Sequence, residues 1–188
     1  MGQALWFLSR AAGLVALLLL TATVVVGTRH AARSSGARWP RFAVAAVHRN
    51  LSLLALAFVA VHAASAIVDP YAGLRWVDAV VPFVAGYHPL WLGLGTVALD
   101  LMLALVVTSL LRHRLGPRTW RALHLTAYLL WPLAVVHGLG IGGDDSALLW
   151  VRALNAACAV AVLVAVVRRL RAPDPDRAAR RALADGHR

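Results

Sequence analysis

Five stretches of this chain are apolar for long enough to cross a lipid bilayer, at about 5–26, 42–68, 90–111, 120–139 and 147–167. A hydrocarbon core about 30 Å thick takes roughly 20 apolar residues in helical form. In lipid the backbone must satisfy its own hydrogen bonds, so runs of this length can only be helices. With 61% hydrophobic residues over 188 positions, the chain reads as an all-α membrane protein, a five-transmembrane-helix bundle. The first run lacks the basic leader and clear cleavage site of a signal peptide, so it counts as a span.

The formal net charge of +11 could suggest a nucleic-acid partner. Its distribution points to the membrane instead, with no nucleic acid implied. Every basic residue is Arg, and 4 of them lie in loop 27–41, 4 in loop 112–121 and 7 in the tail from Arg168. The opposite loops carry Arg75, Arg152 and the acids Asp69, Asp78, Asp144 and Asp145. The positive-inside rule then predicts a multi-pass plasma-membrane protein with its N-terminus outside and its C-terminus in the cytoplasm. Residues 1–170 form the membrane domain, and 171–188 read as an Arg-rich, mostly disordered cytoplasmic tail. Within loop 69–89 the segment LRWVDAVVPF predicts a short helix lying on the membrane surface. A single cysteine, Cys158, excludes an internal disulfide and a four-cysteine iron–sulfur or zinc site. No Gly-rich nucleotide fingerprint and no Walker motif is visible.

Two spans carry histidines where polar groups are costly. His48 and His62 are fourteen residues apart in FAVAAVHRNLSLLALAFVAVH. That is a rise of roughly 21 Å, with the rings within about 40° of one face. His124 and His137 are thirteen apart in WRALHLTAYLLWPLAVVHGLG, a rise of roughly 19.5 Å. Spans two and four run in the same direction. His48 and His124 therefore share a depth near the cytoplasmic face, and His62 and His137 share one near the outer face. Each pair can sandwich one iron, since imidazole is an axial haem ligand. On an ideal helix thirteen residues turn His137 roughly 140° away from His124. Pro132 frees the carbonyl of Tyr128 and is expected to help re-aim His137. A di-metal or proton-relay site would want carboxylates at these depths, and neither histidine span contains Asp or Glu.

HRNLSLLALAFVAVHA and WRALHLTAYLLWPLAVVHG resemble the paired motifs of the ferric reductase-like transmembrane domain. The resemblance extends over about 4–170, including ALWFLSRAAGLVALLLLTATVVVG and LWLGLGTVALDLMLALVVTSLLR. It implies that His48, His62, His124 and His137 are axial ligands of two non-covalent b-type haems, His48/His124 inner and His62/His137 outer. Members of the family that reduce ferric iron or oxygen carry a cytoplasmic flavin and nicotinamide domain, and none is visible here. An NAD(P)H-oxidising activity of this chain alone is therefore not expected.

Arg49 and Arg121 flank the inner pair and are candidate partners of haem propionates. Arg10 and Arg152 lie at outer depth and are candidates for the outer haem. Asp100, mid-span, is expected to pair with Arg10. Asn50 and Asn155 are expected to bond between helices, and Trp131 to pack between the haems. The expected function is transmembrane electron transfer by a di-haem cytochrome. Its donor would be a separate cytoplasmic-side flavoprotein or quinol, and its acceptor extracytoplasmic, such as a flavin-bearing protein. The alternatives are a haem-binding sensor or assembly subunit without electron throughput, and a haem-free structural membrane protein.

Overall fold

The computed structural model describes residues 2–31 and 40–171. The tail 171–188, apart from Arg171, and most of loop 27–41 lie outside the described residues. Six α-helices follow in order: α1 Gly2–Ala31, α2 Arg41–Val68, α3 Pro89–Leu110, α4 Pro117–His124, α5 Ala127–Ile141 and α6 Leu149–Arg171. Five segments are long and apolar enough to cross a membrane, with α4 and α5 sharing one of them, Pro117–Ile141. The chain is an all-helical, multi-pass membrane protein.

Proline marks three of the helix starts. Pro40 precedes α2, and its carbonyl accepts the N–H groups of Ala43 and Val44. Pro89 and Pro117 begin α3 and α4, where the missing N–H leaves no helical bond unmade. α1 runs to Ala31, into the segment read from sequence as a loop.

α1 is the hub, packing on α2, α5 and α6, while α3 packs on α5. The helix interfaces are lined by small residues: Ala12 and Ala16 on α1, Ala55 on α2 and Ala98 on α3 are all buried. Between membrane helices there is no hydrophobic drive beyond that of the lipid, so close backbone approach has to supply the contact. Larger apolar residues such as Leu53, Leu110 and Leu163 point outward, as a lipid-facing surface requires.

The segment between α2 and α3 is a strap; the short helix expected over LRWVDAVVPF is a single 3-10 turn, Trp76–Ala79. Asp78, buried within it, accepts the Arg75 backbone N–H at 2.8 Å and its guanidinium at 2.9 Å. Thr96 on α3 donates its hydroxyl to the Asp78 carbonyl at 2.8 Å, which ties the strap down. Phe83 adopts a left-handed φ of 67°. Its ring occupies a slot at Gly93 that any Cβ would fill.

Hydrogen bonds from Arg75 hold the Asp78 carboxyl below the usual carboxylate range. A lowered folded-state pKa stabilises above the unfolded value of 3.8 and is lost only as pH falls through the lowered one. The strap should therefore keep its hydrogen-exchange protection from pH 8 to pH 5. Asp78→Asn should weaken protection of the Arg75 amide across that whole range.

Candidate functional site

The histidine layers are built from four spans, two presenting rings and two backing them. α2 presents His48 and His62. The segment α4–α5 presents His124 and His137. In the inner layer the His48 and His124 ring centres are 6.1 Å apart; in the outer layer those of His62 and His137 are also 6.1 Å apart. Two imidazoles facing one metal ion from opposite sides, with bonds of about 2 Å, would have their ring centres about 6 Å apart.

The thirteen-residue spacing is partly offset by a change of winding. Between α4 and α5 the chain makes i→i+3 bonds: Thr126 N–H to Leu123, Tyr128 to Leu125 and Leu129 to Thr126, while the Leu125 N–H is shared between Arg121 and Ala122. Each residue wound as 3-10 turns about 20° further than one wound as α-helix. The two residues between α4 and α5, Leu125 and Thr126, recover about 40° of the roughly 140° mismatch. The rewinding lies one turn ahead of Pro132, not at it, and ends next to Tyr128, whose carbonyl Pro132 leaves without its helical donor.

Three of the four rings are seated by one repeated device. His62 Nδ1 lies 2.8 Å from the carbonyl oxygen of Ser9, His48 Nδ1 3.2 Å from that of Thr23, and His137 Nδ1 2.8 Å from that of Trp91. A carbonyl can only accept, so each Nδ1 carries the proton and each Nε2 keeps its lone pair. Four residues after each carbonyl comes a glycine: Gly13, Gly27 and Gly95. A Cβ at Gly13 would stand 3.0 Å from the His62 ring, at Gly27 3.1 Å from His48 and at Gly95 2.5 Å from His137. The glycine removes the side chain that would keep the ring from the carbonyl. None of these backing residues came out of the sequence reading. The signal was present: Gly13 and Gly27 are fourteen apart on α1, as His48 and His62 are on the antiparallel α2.

Each layer offers two imidazoles. Among the described residues no group of three or more His, Cys, Asp or Glu side chains could hold a bare metal ion. Structural zinc wants four protein ligands, whereas haem iron, held in its macrocycle, is served by two axial imidazoles. The residues present fit haem.

Midway between the layers, Ala55, Met102 and Leu130 form a buried apolar cluster. Trp131 does not lie between the layers. It packs with Leu17 and Cys158, and its indole N–H donates to the Thr21 hydroxyl at 2.9 Å. Below the strap, a cavity of about 170 Å³ is lined by His62, His137, Arg10, Tyr71 and Tyr87.

Arg10 borders that cavity but does not pair with Asp100. Its guanidinium donates to the carbonyls of Ile141 and Gly142 at 3.2 Å each, at the C-terminal end of α5, and approaches Asp145 at 3.7 Å. Helix C-termini attract cations, and α1 packs on α5, so this partner is the nearer one. Asp100 has no hydrogen bond or ion pair among the described residues. Arg152 is exposed and donates to the Ser146 carbonyl at 3.3 Å; it does not line the cavity. Arg49 and Arg121 are exposed, at the end of the bundle that carries His48 and His124. Asn155 bonds within its own helix, to the Val151 carbonyl at 2.9 Å, and Asn50 is exposed.

A family model described as ferric reductase like transmembrane component matches residues 12–135. The chain belongs to that family, which implies transmembrane electron transfer and typically binds haem. His48, His62 and His124 fall inside the matched segment, and His137 lies two residues beyond it. No match was found among the curated proteins or among the solved structures.

Proposed function

We propose that this chain is a di-haem b-type cytochrome carrying electrons from a cytoplasmic-side donor to an extracytoplasmic acceptor. The observation that carries the reading is the pair of histidine layers, each with ring centres 6.1 Å apart. His48 and His124 hold the inner haem, and His62 and His137 the outer. Bound haem supplies one-electron iron chemistry. The chain supplies the rest: carbonyls that fix the tautomer, glycines that admit the rings, and an apolar cluster that keeps water from between the layers.

The donor is a separate flavoprotein or quinol on the side of the basic loops, where an acidic surface would be steered. The acceptor meets the strap, which this orientation puts outside and on which Tyr71 and Trp76 are exposed. Arginine asymmetry supports this orientation. A cytoplasm-active reporter fused after Arg188 should work there, and a periplasm-active one should not. The reverse result would exchange inner for outer throughout.

The direct test is a reduced-minus-oxidised spectrum of purified protein with haem quantified per chain. Two low-spin b-type haems are expected, neither covalently bound, since no Cys-x-x-Cys-His sequence is present. Saturation at one haem would remove the two-layer reading.

A further inference from the structure

The fourth ring is seated differently. His124 has no glycine against it, and its Nδ1 is buried without a hydrogen-bond partner among the described residues. Counting from the outer device on α3, fourteen residues on from Trp91 and Gly95 stand Leu105 and Ser109. The pattern that backs His137 therefore does not recur at inner depth. Trp120 takes its place. It lies one helical turn before His124 on α4, and its indole stacks on the imidazole with centres 5.0 Å apart and planes 21° from parallel. No other ligand ring is stacked in this way among the described residues; the two contacts across the layers are both edge-on. Among the described residues the indole N–H makes no hydrogen bond, and the stacked face is the contact that links Trp120 to His124.

We propose that Trp120 is the positioning residue of the inner layer: its ring face orients His124 as a backbone carbonyl orients each of the other three ligands. This rests on the haem reading above. A stacked face fixes the plane of an imidazole but not its tautomer, and it makes no bond that raises ligand basicity. His124 is accordingly the most weakly held of the four, and the inner haem is the one lost first on dilution or detergent exchange.

Two substitutions separate the ring face from its N–H. Trp120→Phe keeps an aromatic face and removes the donor; it should retain two haems per chain and the wild-type spectrum. Trp120→Ala removes both and should retain one, with inner-haem affinity reduced on the order of 10–100-fold, as for loss of an outer-shell partner. The outer haem retained in the same chain reports that the protein is folded. Combining Trp120→Ala with His62→Ala should leave almost no haem. Combining it with His48→Ala should leave the same single haem as His48→Ala alone. Two haems in Trp120→Ala with an unchanged spectrum would overturn the role of Trp120. So would equal loss in the Phe and Ala variants. Fewer than two haems in the wild type would instead overturn the two-layer reading, and this inference with it.

Discussion

His62→Ala should abolish electron transfer across the membrane while leaving the inner haem in place and reducible. His62 is held from behind by the Ser9 carbonyl at 2.8 Å and stands 6.1 Å, centre to centre, from His137. Alanine leaves His137 as the sole imidazole of the outer layer. His48, one rise of roughly 21 Å away on the same helix, keeps its own backing from α1. In vesicles of known orientation, a reductant on the cytoplasmic side should still reduce about half of the wild-type haem absorbance, one layer of two. Reduction of an impermeant acceptor outside should fall to background. His137→Ala should behave alike, whereas His48→Ala and His124→Ala should spare the outer haem. Outside reduction at the wild-type rate in His62→Ala would mean that electrons do not pass through two stacked layers.

The depth-matched histidines were legible because membrane insertion makes polar residues conspicuous. Two spans running the same way, with histidines near both ends, leave few arrangements. What the sequence left hidden depended on neighbours it does not specify. Arg10 and Asp100 suit each other by depth, but α1 packs on α5, and the end of α5 offers two carbonyls and nearby Asp145. Trp131 sits at the right depth to separate the layers, yet it faces α1 and α6 through Leu17 and Cys158. The adjacent Leu130 faces the space between the layers instead. A rotation of one residue decides between the two, and the 3-10 winding ahead of Pro132 sets that rotation. The glycines stayed unread because glycine is common in membrane helices, so none of the three stands out alone. Their meaning lies in register: Gly13 answers His62, and Gly27 answers His48.

Among the three glycines that face ligand rings, Gly95→Ala should be the most damaging, and its damage should fall on the outer haem. An added Cβ would lie 2.5 Å from Cε1 and 2.6 Å from Nδ1 of His137. Optimal carbon contacts are about 3.5–4.0 Å, so ring or helix must yield by roughly an ångström. The ring has little freedom to do so, with Nδ1 bound to the Trp91 carbonyl at 2.8 Å and the His62 ring facing it at 6.1 Å, centre to centre. Overpacking of this kind destabilises by about 1–3 kcal/mol. Loss of the Nδ1 bond should lower outer-haem affinity on the order of 10–100-fold. At Gly13 and Gly27 the new methyl would meet its ring at 3.0 and 3.1 Å, a clash that a shift of a few tenths of an ångström relieves. Those two variants should keep both haems, with the His62 and His48 layers only weakened. Gly138→Ala is the matched control: it follows His137 on α5, and its Cβ would meet nothing within 4 Å. Haem per chain and the midpoint of each haem, measured across the four variants, should rank Gly95→Ala far below the rest, with Gly138→Ala at wild-type values. If Gly95→Ala keeps an unaltered outer haem while Gly138→Ala loses it, His137 is not seated against the Trp91 carbonyl as described.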